Sequence, residues 1–315
     1  MLAGTYGLCC ALYLLLHVTV GDDWAFVRLL DNGANLLLLG CVPALLVALG
    51  ASRYRWVYVG YTLPGALAWV LWQGVLFLPN VPSQVNGLEL EVVSFNTAEA
   101  IVRLDEWQET FPTADVIGFQ ELALFRQDRD DERLKIREDT RAIFSPHPVV
   151  PGSTRAVMAP DKGEETAVAV RAVLEVEGQP IAVYSFHPKR PDISLRPLAY
   201  LDAERRQAVD ALLAAIAEEV HPVLVLCDCN MSDRTGDYRR MTQHLQDAWR
   251  SAGWGLGLTA PGRGARIAGT GFFTPLVRVD YVWHSHHFET RAAQVLDVSG
   301  SDHLPVQATL VLRPN

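Results

Sequence analysis

Acids, amides and histidines follow short apolar stretches at six places in the C-terminal two thirds of the chain. Stretches of β-branched and apolar residues are typical of β-strands, and polar groups at strand ends collect at the rim of a sheet. Together they indicate a divalent-metal phosphoesterase site assembled from strand ends. The six stretches are SFN at 94–96, FQE at 119–121, FHP at 186–188, CDCN at 227–230, VDYVWHS at 279–285 and SDHLP at 301–305.

Asp228 and Asn230 stand two positions apart at the end of the apolar run that begins at Val223. Successive side chains of a strand point to opposite faces, so this acid and this amide share one face. Side by side they can hold a water or a phosphate oxygen. A strand-terminating turn is the alternative interpretation of the pair, because Asp and Asn are ordinary turn residues.

The remaining polar residues supply a carboxylate for a metal and carboxylate–imidazole pairs. Glu121 follows the mostly apolar run 116–120, so its charge needs a partner, and Mg²⁺ prefers one or two carboxylates with water and phosphate. Asp280 and the Asp302-His303 pair also follow or precede apolar runs. A carboxylate near an imidazole orients the ring and supports its cationic form. The alternative for each residue is a satisfied hydrogen bond at a sheet edge.

Strands outnumber helices among the elements that must position these residues, so the predicted sheet is mixed. A hairpin signal at Glu177-Gly178 predicts that two of the strands pair antiparallel. An apolar face at helical spacing predicts a helix over 201–220 that stops before Pro222, and a second helix is predicted over 238–249. The predicted strands are 88–96, 114–121, 166–176, 179–187, 223–230, 278–284 and 306–312.

The order of the polar residues, N…E…H…D-x-N…D…D-H with each at a strand end, resembles the endonuclease/exonuclease/phosphatase superfamily of deoxyribonuclease I-like proteins. The resemblance covers about residues 87–313, and its D-x-N and SDHLP motifs are highly specific in this order. It implies a four-layered α/β sandwich with two mixed β-sheets and Mg²⁺-dependent cleavage of phosphoester bonds. Membrane-anchored bacterial members with N-terminal helices look like the nearest relatives.

The resemblance also implies a role for each residue around the metal and the attacking water. Glu121 would be the main metal ligand, assisted by Asn96 and Asp302, with Mg²⁺ as the ion and Mn²⁺ as the alternative. Asp228 would position or deprotonate the attacking water, and Asn230 would hold that water or a phosphate oxygen. Which group acts as the general base is unsettled across the family, so the resemblance does not fix it.

On the phosphate side, the resemblance implies that His187 and His303 hydrogen-bond the phosphate and stabilise its developing charge, with Asp280 orienting His303. Three basic residues follow His187 in the sequence and are candidates for binding the negative charge of a substrate. A solvated loop is the alternative interpretation of these three. They are Lys189, Arg190 and Arg196.

The chain departs from the usual G-D-F-N motif of the family at two positions, where Cys227 and Cys229 replace Gly and Phe. The functional acid and amide are kept. A disulfide between the two cysteines is not expected, because both would share a rigid extended segment. We therefore expect them to pack beneath the sheet as small apolar residues.

Residues 1–79 are predicted to be a bundle of three transmembrane helices, at about 2–20, 35–52 and 56–79. Each is nearly or wholly free of charge and close to the ~20 residues that a helix needs to cross a bilayer. A cleaved signal peptide is the alternative for the first, although it lacks a basic n-region. The linker 80–87 and a catalytic domain over 88–313 would follow.

Two arginines in the second predicted loop, Arg53 and Arg55, outnumber the single Arg28 of the first loop. The positive-inside rule therefore puts the second loop in the cytoplasm and the catalytic domain outside it. The sequence thus predicts an integral protein of a bacterial cell membrane. Its predicted partners are the lipid bilayer and a phosphoester substrate.

The net charge of −9 lies wholly beyond residue 86, because residues 1–86 contain three basic and three acidic side chains. Polymeric DNA binding draws mostly on Lys and Arg, so lipid head groups or small phosphodiesters are favoured over nucleic acid. A membrane-tethered nuclease and a catalytically inactive binding module on the same fold remain alternatives. A channel or transporter is disfavoured, since the predicted spans contain no Asp, Glu, Lys or Arg.

Overall fold

The computed structural model describes residues 2–51, 53–78, 85–99, 101–102, 109–124, 131–161, 164–195, 198–262, 266–267, 270–271 and 274–314. Within it the chain forms two compact units. The helical unit contains residues 1–79, 192–201 and 231–239, and the sheet unit contains the rest. The predicted division into helices, linker and catalytic domain stays a prediction.

The helical unit begins with four α-helices. They are α1 (Leu2–Thr19), α2 (Ala25–Leu39), α3 (Cys41–Gly50) and α4 (Arg55–Gln73), with short 3-10 turns at Gly21–Asp23 and Gly74–Phe77. The C-terminal part of α1 lies against the middle of α2, because the Tyr13 hydroxyl donates to the buried Asp31 carboxylate over 2.7 Å and His17 Nδ1 lies 2.9 Å from it.

One described helix, Leu2–Thr19, is long and apolar enough to cross a membrane. A second candidate arises only if α2 and α3, which bend by 42° at their junction, count as one span. A soluble core helix or a signal sequence passes the same test, so these helices establish a helical region and not membrane anchoring. The structure thus gives one or two candidate spans where the sequence predicted three, because Gly40 interrupts the 35–52 stretch and α4, with its 19 residues, is long enough but less apolar than a candidate span.

Two further segments complete the helical unit. The first is the hairpin of β10 (Asp192–Leu195) and β11 (Leu198–Leu201), which pair antiparallel. The second is residues 231–239, which contain most of the helix Gly236–Met241. Both segments lie outside the N-terminal third of the sequence, so the helices and these segments form one compact unit despite their separation along the chain.

Two six-stranded mixed sheets form the sheet unit. In the first, the strand order is β17-β18-β1-β3-β6-β5, with strands Phe288–Val295, Val306–Leu312, Leu88–Asn96, Val116–Gln120, Arg141–Phe144 and Leu134–Glu138. In the second, the order is β13-β16-β12-β9-β8-β7, with strands Gln246–Asp247, Asp280–His284, Val223–Asp228, Gln179–Phe186, Glu164–Val176 and Arg155–Asp161. The predicted pair of mixed sheets is confirmed.

Short strand pairs and helices accompany these two sheets. Two short two-stranded pairs are β2 (Ile101–Val102) with β4 (Ala123–Leu124) and β14 (Arg266–Ile267) with β15 (Thr270–Gly271). The helices of the sheet unit are α5 (Ala203–Ala217) and α7 (Ala248–Ala252), and α6 is Gly236–Met241. The single helix predicted over 238–249 is wrong, because Asp247 accepts the Trp249 and Arg250 amides and so begins a separate helix.

Each sheet contains one parallel pair of strands, and these two pairs position the site. Strands β1 and β3 run parallel in the first sheet, and β9 and β12 run parallel in the second. Parallel neighbours end at the same edge of a sheet, so the polar residues that follow them collect there. Asn96 ends β1 and Asp228 ends β12, whereas Glu121 and His187 directly follow β3 and β9.

One apolar core lies between the two sheets. It is built from alternate side chains of the central strands. Among them are Leu90, Val92, Val183, Leu224 and Leu310, each of which is fully buried. The sheets approach closely at Gly118, where an added Cβ would lie 2.5 Å from the Leu226 Cβ. Because interiors are close-packed, this contact fixes the distance between the strand that precedes Glu121 and the strand that ends in Asp228.

Candidate active site

The Asn96 side chain connects the two sheets at the polar edge. Its Nδ2 donates to Glu121 Oε1 over 3.1 Å and to Asp228 Oδ2 over 2.8 Å. Its Oδ1 accepts the Ala98 amide over 2.8 Å, which fixes the orientation of the side-chain amide. The amide therefore holds two carboxylates from different sheets at one place, as a neutral donor to both.

Glu121 has a left-handed backbone, with φ of 50°. A non-glycine residue with positive φ is uncommon and is often found at functional sites. Two hydrogen bonds hold its carbonyl, from Thr97 Oγ1 over 2.7 Å and from the Glu99 amide over 2.9 Å. The chain thus turns sharply at the end of β3, and the Glu121 side chain keeps 35% exposure, so it can meet an ion from solvent.

His187 faces both carboxylates. Its Nε2 lies 3.5 Å from Glu121 Oε1 and 3.5 Å from Asp228 Oδ2. Arg141 holds its backbone, because Nε and one terminal nitrogen donate to the His187 carbonyl over 3.2 and 2.7 Å. The sequence analysis did not identify Arg141, because it begins β6 outside any motif. The signal that could have indicated its role is a charged residue at the start of a buried strand.

Asp228 is a buried carboxylate that stays ionised. Burial alone would raise its pKa, but the charge of His303 and the hydrogen bonds of His187 and Asn96 lower the pKa well below its ordinary value. His303 Nε2 lies 3.7 Å from Asp228 Oδ2. Asp228 therefore presents a negative charge between two imidazoles over the whole neutral range.

His303 and Asp280 form a close pair next to Asp228. His303 Nδ1 lies 2.9 and 3.1 Å from the two Asp280 oxygens. Although burial opposes the charged ring, Asp280 and Asp228 raise the pKa of His303 to about 10. Burial also raises the pKa of Asp280, but two carboxylates surround this one imidazole, so we take the ion pair as the resting state.

Asn230 follows Asp228 in a strained turn with φ of 49°. Three groups hold it: its amide donates to Asp228 Oδ1 over 3.0 Å, its Nδ2 donates to the Pro188 carbonyl over 3.1 Å, and its carbonyl accepts Arg205 Nη1 over 3.0 Å. Arg205 is 2% exposed and was not predicted. With its Nδ2 bound to Pro188, the remaining free acceptor of Asn230 is the side-chain oxygen.

Cys227 and Cys229 are joined by a disulfide, with Cα atoms 5.2 Å apart. The expectation of unpaired cysteines is therefore wrong. Two positions of an extended strand lie about 6.6 Å apart at ~3.3 Å per residue. Strand β12 ends at Asp228, however, and the chain turns into the left-handed Asn230, so Cys229 is no longer on an extended segment.

The donor set of the polar edge fits a divalent metal ion. Glu121, His187 and Asp228 each offer one ligand atom, and these atoms lie within 4.8 Å of one another. Asp228, Asp280 and His303 form a second such group. A protonated imidazole cannot ligate, and the ion pair occupies the second group, so the first is the better site. Its carboxylate oxygens are the ligands that hard cations take.

The structure does not bring the other predicted residues that it describes into these two groups. The Asp302 side chain is exposed, and among the described residues it belongs to neither metal-type cluster. Lys189 forms ion pairs with Asp161 over 3.1 Å and with Glu204 over 3.4 Å, so its charge is already paired with two carboxylates. Arg190 is exposed, and Arg196 lies outside the described residues.

The raised pKa of His303 predicts how the stability of the metal-free protein depends on pH. A folded pKa of about 10 exceeds the ordinary ~6.5, so the contribution is full below pH ~6.5 and is lost as the pH rises towards 10. We expect the Tm difference between the native chain and His303→Gln to shrink over that range in EDTA, by calorimetry. A difference that is constant from pH 6 to 10 would contradict the ion pair.

Comparison with known families gives one match over most of the chain. The model of the Endonuclease/Exonuclease/phosphatase family matches residues 90–303. The matched range includes Asn96, Glu121, His187, Asp228 and His303, which are the residues assembled at the polar edge. A search of curated proteins finds no match.

Solved structures share the fold at low sequence identity. The endonuclease/exonuclease/phosphatase from Bacteroides vulgatus has a TM-score of 0.54 and 16% identity, over 72% of this chain and 100% of that one. A family protein from Bacteroides thetaiotaomicron has a TM-score of 0.53 and 14% identity, over 73% and 100%. The mannosyl-6-phosphatase Bt3783 of the same organism has a TM-score of 0.51 and 14% identity, over 71% of this chain and 100% of that one. At these identities the likeness concerns the fold.

Proposed function

Because the chain belongs to the endonuclease/exonuclease/phosphatase family and is thus a metal-dependent hydrolase of phosphoester bonds, we propose that it is a membrane-anchored Mg²⁺ phosphoesterase. Its favoured substrate is a lipid head group or a small phosphodiester. The observation that carries the proposal is the meeting of Glu121, Asn96, His187 and Asp228 from four strand ends of two sheets. In the proposed fold, helices outside both sheets complete four layers.

Glu121 would hold the ion, with Asp228 and Asn96 beside it, and Asp302 is proposed as an assisting group reached through water. A bound Mg²⁺ supplies charge that neutralises the phosphate oxygens, and Mn²⁺ is the alternative ion. The buried, ionised Asp228 accepts hydrogen bonds and can orient or deprotonate a water next to it. The Asn230 side-chain oxygen can accept a hydrogen bond from that water.

The two histidines would act on the phosphate. His303 is a charged donor, since Nδ1 is engaged by Asp280 and Nε2 is directed towards Asp228, 3.7 Å away. Preorganised charged donors stabilise the negative charge that develops in a transition state, because they need no reorganisation during the reaction. His187, whose backbone Arg141 fixes, is the second donor. Arg190 and Arg196 remain proposed contacts to a substrate charge, while Lys189 would first have to leave Asp161.

Membrane anchoring is proposed from the surface of the helical unit. Large apolar side chains on its helices are exposed, at 48–76% for Leu8, Leu15, Leu46, Trp56 and Leu71. Exposed apolar side chains in this number favour burial against another apolar phase, and lipid supplies one. The proposed spans are those predicted from the sequence, at about 2–20, 35–52 and 56–79. Arg53 and Arg55 would then face the cytoplasm, and a C-terminal reporter active only outside the cytoplasm tests this side.

Hydrolysis assays on the full chain test the proposed function. The purified protein, in detergent or vesicles with Mg²⁺, should release phosphate or head groups from phospholipids or small phosphodiesters and lose this activity in EDTA. Faster turnover of DNA or RNA would favour the nuclease alternative. If a folded, metal-binding protein turns over neither phospholipids, nor small phosphodiesters, nor nucleic acid, the inactive binding module is favoured.

A further inference from the structure

The segment 231–239 continues the chain directly after Asn230 but belongs to the helical unit. It is polar and yet buried: Ser232, Asp233, Thr235 and Asp237 are each no more than 4% exposed. Buried polar groups destabilise a fold unless they are hydrogen-bonded, so the partners of this segment determine where it can lie.

Helix α2 supplies two of these partners. Ser232 Oγ donates to the Asp31 carbonyl over 2.8 Å, and Asn35 Nδ2 donates to Asp233 Oδ1 over 2.8 Å. The Asp31 side chain is itself held by the Tyr13 hydroxyl. The first residues of the segment are therefore bound to a helix that lies about 200 residues earlier in the sequence, as the separation of 201 positions between Asp31 and Ser232 shows.

Helix α4 and the turn before α2 supply the rest. Gln73 Nε2 donates to Asp233 Oδ2 over 3.3 Å, so the two oxygens of this carboxylate are held by two different helices. The Arg234 guanidinium lies 4.7 Å from the Trp72 ring centroid, and Arg239 pairs with Asp22 over 2.8 Å. These contacts tie the segment to three separate parts of the helical unit.

We propose that Asn35 and Gln73 are positioning residues for hydrolysis, which act by holding Asp233 and thereby the chain that leaves Asn230. Three peptide units separate Asn230 from Asp233. Asn230 has a left-handed backbone between its fixed Asp228 contact and this segment, so a shift at Asp233 reaches the Asp228–Asn230 pair through the backbone. Asn35 and Gln73 thus act on the active site through the chain that joins Asp233 to Asn230.

The inference rests on the proposed function for its activity readout. A misplacement of about 1 Å in a catalytic group can lower the rate about 100-fold, while substrate groups that contact other residues keep their affinity. We therefore expect loss of the hydrogen bonds that hold Asp233 to lower kcat about 10- to 100-fold with KM nearly unchanged. A purely structural role would lower the amount of folded protein or its Tm and leave the kcat of the folded fraction unchanged.

Exchanging the side chains of Asn35 and Asp233 provides the test in the full chain. Asn35→Asp places two carboxylates against each other and breaks their hydrogen bond. Asp233→Asn replaces the carboxylate by an amide with a single acceptor oxygen, so one of the two bonds donated by Asn35 and Gln73 is lost. The double variant Asn35→Asp with Asp233→Asn restores one donor and one acceptor in reversed positions and keeps the charge. We expect each single variant to lower kcat and the double variant to return it to within about threefold of the native value.

A matched control and a second readout separate the outcomes. Thr62→Val removes a buried hydrogen bond that stays within α4, from Thr62 Oγ1 to the Tyr58 carbonyl, and should leave kcat unchanged. Amide hydrogen exchange over 229–235 should quicken in the single variants and recover in the double variant, even if no substrate is found. If Asn35→Asp does not fold, Asn35→Leu replaces it. Native kcat and native exchange in the single variants, or a double variant without recovery, would overturn the proposal.

Discussion

Glu121→Gln is expected to raise the Mg²⁺ concentration for half-maximal hydrolysis by about tenfold or more, and to lower kcat at fixed Mg²⁺. Changes to groups that merely orient metal ligands already weaken metal affinity or activity about 10- to 100-fold, so loss of a direct carboxylate should do no less. The substitution keeps the size of the side chain and its contact with Asn96, while the charge is removed. Metal titration of turnover, together with calorimetric titration of Mn²⁺ binding, measures the effect.

Glu204→Gln is the matched control for this experiment. Glu204 has a side-chain exposure of 30%, close to the 35% of Glu121, and its carboxylate pairs with Lys189 outside both metal-type clusters. It should titrate with Mg²⁺ like the native chain. Unchanged metal dependence in Glu121→Gln would remove this residue from the metal site and leave Asp228 as the candidate carboxylate ligand.

The Asp280–His303 pair is expected to act as a unit, so that Asp280→Ala, His303→Ala and the double variant each lose about 10²- to 10⁴-fold in kcat. Without Asp280 the ring loses the partner at Nδ1 that holds its charge and its orientation, and without His303 the carboxylate has no ring to orient. Effects of groups that act together are strongly non-additive, so the double variant should resemble the more impaired single variant. Single-turnover kinetics with saturating substrate measure this.

A second His–Asp pair in the sheet unit controls for general loss of an ion pair. His147 Nε2 lies 2.9 Å from Asp115 Oδ1, at a comparable distance but outside both metal-type clusters. His147→Ala should keep the native kcat. Circular dichroism checks that Asp280→Ala still folds, since Asp280 also begins β16. If the losses of the two single variants multiply in the double variant, the residues act independently and the coupling is wrong.

Much of the candidate site could be predicted from local sequence because its residues follow strands whose apolar patterns are plain. The run LELEVVSFN predicted β1 at its full length of Leu88–Asn96, and the strand predicted over 114–121 contains β3, which is Val116–Gln120. Once parallel strands are assumed, their polar ends must gather at one edge. The patterns predicted a mixed sheet, and the two mixed sheets of the sandwich followed from the resemblance to the family, which depends on the order of the motifs.

Other features depended on positions far apart in the sequence. Arg141 and Arg205 bind the carbonyls of His187 and Asn230 and contribute no motif of their own, so no local pattern identifies them. The Cys227–Cys229 disulfide required knowledge that the strand ends at Asp228. Local propensity does not state at which residue a strand stops.

The sequence by itself determined the chemistry of the edge, because side-chain type and strand period are local properties that a folded environment does not change. Only the tertiary structure decided the partners: that Asn96 joins carboxylates of two sheets, that Lys189 is already paired, and that residues 231–239 belong with the helices. The physical reason is that hydrogen bonds and ion pairs are short-ranged. They form between whichever groups core packing brings within about 3 Å, irrespective of their separation along the chain.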